Sequence, residues 1–216
     1  MSEKTKNAKN MGTMKLSGDG TATARPDVAE VGLGVVTEAT AASVAMLENA
    51  QRMNEVIARI KALGVPSENL QTTGISLSPV YDTDEKSSTY RQLIGYRVED
   101  SVSVRSEVDL AGAVLDAGVR AGANLTSGIR FRLMNDAPLR DKALSSAVES
   151  AQHIAQVAAK AMGAKLLPPY LIEISGSSVS NPSVMMKSME SATPIEPGMI
   201  SVRASVRVER HYFIAT

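Results

Sequence analysis

The chain has 216 residues, 44% of them hydrophobic but only 3% aromatic, enough for a substantial core built from Val, Ile, Leu, Ala and Met. Lys plus Arg and Asp plus Glu both number 23, which excludes the overall basic footprint of a nucleic-acid binder and leaves no strong self-repulsion to oppose association. With no Cys, a disulfide framework, a thiol nucleophile and a zinc ribbon are excluded, while an oxidising compartment is permitted.

The opening "MSEKTKNAKNMGTM" is polar and lysine-bearing with no apolar run behind it, so residues 1–13 read as a floppy, disordered leader and not as an export signal. An expression remnant, or what replaced a removed signal, are the other readings of this segment. No stretch approaches the roughly 20 apolar residues of a membrane helix. Residues 14–216 are expected to form a single domain.

Met14 to Ala24 and Asp27 to Val36 predict two strands around a turn at Arg25-Pro26-Asp27, with Lys15, Ser17, Thr21 and Thr23 on one face. Gly18-Asp19-Gly20 opens no helix and is followed by no third glycine, so it reads as a bulged or closely approached strand and not as a dinucleotide loop. Thr40 is expected to cap a long helix reaching Leu63, with an apolar stripe of Met46, Ala50, Met53, Ile57 and Ile60. Gly64 suits a left-handed cap and Pro66 stops the helix from resuming.

Asn69 to Tyr81 and Tyr90 to Val108 read as long strands around the acidic tip "DTDEKSS", the second with a bulge at Glu99-Asp100. Asp109 begins a shorter helix with Leu110, Val114 and Leu115. The glycine-rich "AGVRAGANLTSGIRF" closes that helix, and a helix C-terminus repels phosphate. Gly122 therefore caps, Asn124 tolerates left-handed backbone, and Gly118 permits close packing; no Walker-type Lys-Ser or Lys-Thr follows. Asn124-Leu125-Thr126 matches a glycosylation sequon by composition alone.

Asp136 is expected to cap the longest helix, with Pro138 in its first turn and Gly163 beyond its end. Its stripe of Leu144, Ala147, Val148, Ala151, Ile154, Ala158 and Met162 is rich enough in Ala to approach a sheet closely. "PPYLIEIS" and "MISVRASVRVERHYFI" predict strands flanking the long loop "NPSVMMKSMESATPIEPG". The order is β-β-α-β-β-α-β-α-β-β. It predicts an α+β fold, a mixed or antiparallel β-sheet with two long helices and one shorter helix packed on it.

Chemistry-bearing residues are few. His153 stands four after Glu149 on a wet helix face near Lys142 and Ser146, the spacing of a solvated ion pair, and no G-x-S-x-G elbow supplies a nucleophile. His211 lies beside Arg210, a poor place for a metal. Met185, Met186 and Met189, with Met199 beyond, have thioethers that suit Cu(I); without His or Cys nearby, an adaptable surface for another subunit is the favoured reading. Tyr81, Tyr90 and Tyr96 flank the acidic hairpin and either cover the sheet or form an interface. No catalytic residue, cofactor site or metal site is assigned.

Six phrases in order, "GDGTATARPDVAEVGLGV", "LQTTGISLSPVYD", "GYRVEDSVSV", "DLAGAVLDAGVRAGANLTSGIRF", "ALSSAVESAQHIAQVAAKAMG" and "TPIEPGMISVRASVRV", resemble the SIMPL-domain (DUF541) family. That family includes bacterial periplasmic immunogenic and oxidative-stress-defence proteins. The resemblance implies a non-enzymatic envelope protein that forms homo-oligomers from sheet-and-helix protomers, protective in oxidative stress. It carries no established catalytic residues. Periplasmic location follows from the resemblance, while the lack of an export signal in the sequence as given leaves a cytoplasmic one open. The alternative is a small-molecule or peptide-binding module using a groove between helix and sheet.

Overall fold

The computed structural model describes residues 11–180 and 196–214. The elements follow the expected order: β1 (Met11–Ala24), β2 (Val28–Ala39), α1 (Ala42–Ala62), β3 (Leu70–Tyr81), β4 (Leu93–Ser106), α2 (Ala111–Arg120), β5 (Leu125–Arg132), α3 (Ala137–Ala161), β6 (Ala164–Ser180) and β7 (Ile200–Ile214). The fold is α+β, and the strands divide between two antiparallel sheets, β1-β7-β6 and β3-β4-β2-β5. The chain forms two compact units, each with one sheet: β1, α3, β6 and β7 in one, and β2 to β5 with α1 and α2 in the other.

In the three-stranded unit, β1 pairs with β7 from Met11–Phe213 to Ala24–Ile200 without a break. The alternation expected in both strands is present. Lys15, Ser17, Thr21 and Thr23 are exposed, while Val202, Ala204, Val206 and Val208 are buried. Gly18 and Gly20 lie on the inner face with Met14 and Ala22. Any Cβ there would strike the α3 backbone, at the Ala147 carbonyl for Gly18 and the Ala143 carbonyl for Gly20. The strand is therefore closely approached and not bulged. The buried stripe of α3 is Leu139, Ala143, Ala147, Ala151, Ala155 and Ala159. Ala147 and Ala151 of the expected stripe are thus buried and Leu144, Val148 and Ala158 half-buried, while Ile154 and Met162, with Val157, are exposed. Asp136 stands at the cap position, but its carboxylate pairs with Arg140 at 2.8 Å; the Asn135 side chain accepts from Ala137 N–H instead. Gly163 ends the helix at φ 63°.

In the four-stranded unit, α1 and α2 cover one sheet face over a core of Val31, Leu33, Val35, Val56, Ile60, Val102, Val104, Val114 and Phe131. The α1 stripe is Ala45, Asn49, Met53, Val56 and Ile60; Met46 and Ala50, expected inside, are exposed. Asn49 is buried because its Nδ2 donates to the carbonyls of Val35 (2.8 Å) and Val98 (3.3 Å), which satisfies it inside an apolar layer. Thr40 does not cap; Ala41 occupies that position without a side-chain bond.

Gly64 is left-handed at φ 90°. At the α2 end, Gly122 (φ 112°) donates to Val119 and Ala123 donates to Gly118, the two bonds of a glycine-terminated helix. Asn124 is not left-handed: its side chain accepts from Val36 N–H (2.7 Å) and donates to the Val36 carbonyl (2.8 Å), extending the β2–β5 ladder by one rung. Glu99-Asp100 is not bulged. Pairing of β4 with β2 runs straight through it, and in the β3–β4 pairing the extra residues are Thr73 on β3 and Ile94 on β4.

Candidate functional site

The open face of the three-stranded sheet gathers a polar cluster. Registering Lys15 with Glu209 and Thr13 with His211 across β1 and β7 lets Lys15 Nζ reach Glu209 Oε1 at 2.7 Å and brings Thr13 Oγ1 within 3.1 Å of His211 Nδ1. From β6, Tyr170 donates its hydroxyl to Glu209 Oε2 at 2.8 Å and stacks on His211 with ring centroids 4.6 Å apart. The hydrogen bond to Glu209 pushes the Tyr170 hydroxyl up, and the hydrogen bonds from Lys15 and Tyr170 hold the Glu209 carboxyl down. Lys15 is raised by the same carboxylate. Lys15 and Tyr170 are thus favoured in their protonated forms and Glu209 in its ionised form.

Arg210, the sequence neighbour of His211, does not join this cluster. Adjacent strand residues point to opposite faces, and Arg210 instead donates to the Leu167 carbonyl at 2.9 and 2.6 Å. Tyr170 was missed because its pairing depends on how β6 registers with β7, a contact separated by the long loop. His153 and Glu149 are exposed on α3, and no ion pair among the described residues joins them.

Around the hairpin of the other unit, Tyr81 is exposed and Tyr90 and Tyr96 are half-buried. Tyr81 is in register with Leu93, and Tyr96 lies between Pro79 and Ala39. Arg91, left-handed at φ 63°, places its guanidinium 5.0 Å from the centre of the Tyr90 ring. Hydrogen bonds from Ser87 and Thr89 hold the Asp82 carboxyl below its ordinary range, so the tip is braced by its own acid. Met185, Met186 and Met189 lie outside the described residues.

The helix-free face of the four-stranded sheet carries a depression of about 400 Å³ floored by Gly32 and walled by Thr73 on β3 and Thr126 and Ser127 on β5. It continues into a hollow of about 340 Å³ that shares Thr73, Glu99 and Ser101, and into another of about 180 Å³ that shares Glu30 with Arg105 and Arg132. Among the described residues no group of three or more His, Asp or Glu could hold a metal ion, and no helix is long and apolar enough to cross a membrane.

Two antiparallel sheets with helices on one face of each and open polar faces define a small α+β protein of the sheet-and-helix kind. The family described as SIMPL, "Protein of unknown function (DUF541)", matches residues 14–209, and the chain belongs to it. It is 29% identical over 208 residues to the 26 kDa periplasmic immunogenic protein of Brucella melitensis, covering 89% of this chain and 82% of that one. It is 25% identical over 195 residues to the Escherichia coli protein YggE, covering 89% and 78% respectively.

Proposed function

We propose that this chain is a non-enzymatic protein of the bacterial cell envelope that works as a homo-oligomer and protects against oxidative stress. The observation that carries the oligomer is the uncovered edge strand β3. Among the described residues it pairs only with β4, and Ile75, Leu77 and Tyr81 on it are 61%, 48% and 53% exposed. A long apolar edge left open to water is a template for pairing with another chain unless it is covered. Tyr81 with Tyr90 and Tyr96 extends the same region, and Met185, Met186 and Met189 are offered as further contacts. The envelope location is supported by the name of the Brucella relative; the stress role rests on the family resemblance.

Light scattering after size exclusion tests the assembly: a mass well above 22.8 kDa is expected at micromolar concentration. The Ile75→Lys/Leu77→Lys double variant should lower that mass while leaving the circular dichroism unchanged. A monomeric parent protein would overturn the reading.

A further inference from the structure

On the helix-free face of the four-stranded sheet, the central strand β2 presents Glu30 and Gly32, flanked by Arg105 and Ser103 on β4 and by Arg130 and Gly128 on β5. The β2–β5 register shifts between Gly32 and Leu33, and Gly128 is left-handed at φ 89°. This bulge turns Ser127 inward so far that a Cβ on Gly32 would collide with its hydroxyl. Bulges of this kind re-aim a side chain beside a site. The floor is thus kept low by glycine and its rim is set with hydroxyls.

Charge is divided between the two ends. Glu30 pairs with Arg132 at 3.0 Å, which leaves Arg105 and Arg130 without a carboxylate partner among the described residues. At the opposite end Glu99 has no cationic partner there either. Six residues of strand separate Glu99 from Arg105, about 20 Å, and Ser101 and Ser103 stand between them. The lining of the central depression contains no aromatic ring, which disfavours nucleobases, and its hydroxyls stand beside Leu33, Val102 and Leu125, which suits a ligand that alternates polar and small apolar groups. Carboxylates at both ends disfavour a polyanion. A zwitterion whose middle alternates amides with small apolar side chains matches the unpaired charges at the two ends and the mixed lining between them.

We propose that this trough binds a short peptide of three or four residues with free termini. Its carboxylate meets Arg105 and Arg130, its ammonium meets Glu99, and its amides meet the hydroxyls of Ser101, Ser103 and Ser127. An extended tetrapeptide spans about 14 Å, and the Arg and Glu side chains close the remaining distance.

Isothermal titration of the full chain with uncapped tetra-alanine tests this. Saturable binding is expected, weakened about fivefold by N-acetylation and about fivefold by C-amidation, the worth of one exposed ion pair each. Glu99→Gln should abolish the penalty for acetylation alone, and Arg130→Gln should reduce the penalty for amidation alone; both side chains are exposed, so both variants should fold. Gly32→Val, which fills the floor, should remove binding. No saturable heat, equal affinity for capped and uncapped peptide, or equal binding of succinate, which would mean a simple anion site, would each overturn the proposal. The oligomer mass is measured on the same samples, so failure of the trough and failure of the assembly are read separately.

Discussion

In the unit built on β1, β7 and β6, the helix meets the sheet through Ala143, Ala147, Ala151, Ala155 and Ala159, with Gly18 and Gly20 opposite them. In the unit built on β3, β4, β2 and β5, the layer between helices and sheet is filled by Val, Leu, Ile and Phe131. The first contact is backbone against backbone. It gains close dispersion contact and loses almost no side-chain entropy, because Ala and Gly have none to lose. The second buries larger apolar side chains, each contributing roughly 1.5–3 kcal/mol on leaving water. The two units therefore fail in opposite ways: the first has no room for added atoms, and the second depends on the atoms it has.

The largest expected effect breaks the second unit by removal. Phe131 is fully buried, and Phe131→Ala should cost about 3–5 kcal/mol in urea denaturation. A loss below about 1 kcal/mol would mean that the core there collapses to fill the gap.

Next is the opposite change in the first unit. Gly20→Ala adds one methyl group that meets the α3 backbone, which cannot rotate away, and should cost about 1–3 kcal/mol. Gly118→Ala is its control in the second unit. The added methyl there falls 2.5 Å from Cδ1 of Leu33, the tip of a side chain that can shift, and helix propensity favours Ala over Gly by about 1 kcal/mol. Gly118→Ala should therefore be clearly milder than Gly20→Ala. Equal losses would show that what lies opposite a glycine does not set the cost.

A pH-dependent effect comes third. Asp100 is only 9% exposed, its Oδ1 has no hydrogen-bond partner among the described residues, and burial pushes its carboxyl up from the ordinary 3.8. A raised acid favours the folded state fully below its unfolded value, and that contribution is lost as pH rises through the folded value. Asp100→Asn should thus raise the denaturation midpoint at pH 7, with the gain shrinking towards pH 4. A gain independent of pH would indicate a packing effect. The smallest change is expected for His153→Ala, within about 0.5 kcal/mol because the side chain is exposed and joins no ion pair among the described residues.

Much of this fold was legible in local pattern. The order of strands and helices, the left-handed caps at Gly64, Gly122 and Gly163, the close approach at Gly18 and Gly20 and the faces of β1 and β7 each follow from period, φ preference or the missing Cβ of a few residues. On α1 the expected Met53 and Ile60 are buried, but Ala45, Asn49 and Val56 take the places of Met46, Ala50 and Ile57. Met46 looks more buriable than Asn49 by hydrophobicity, but only Asn49 finds two carbonyls to satisfy inside. Asn124 was read for its backbone tolerance, yet its amide side chain serves as a rung of the ladder.

What the sequence by itself determined is therefore what neighbours within a few residues decide: which segments extend, which coil, where they stop and which face is apolar. Tertiary structure alone decided partners. Period two says that Glu209 faces water, not that Lys15 and Tyr170 will meet it from strands far away in the chain. Nor could it divide the described strands between two sheets, or set three arginines and a bulged serine around a glycine floor. Pairing across long separations is chosen by the closing of the whole chain, which leaves no period in the sequence to read.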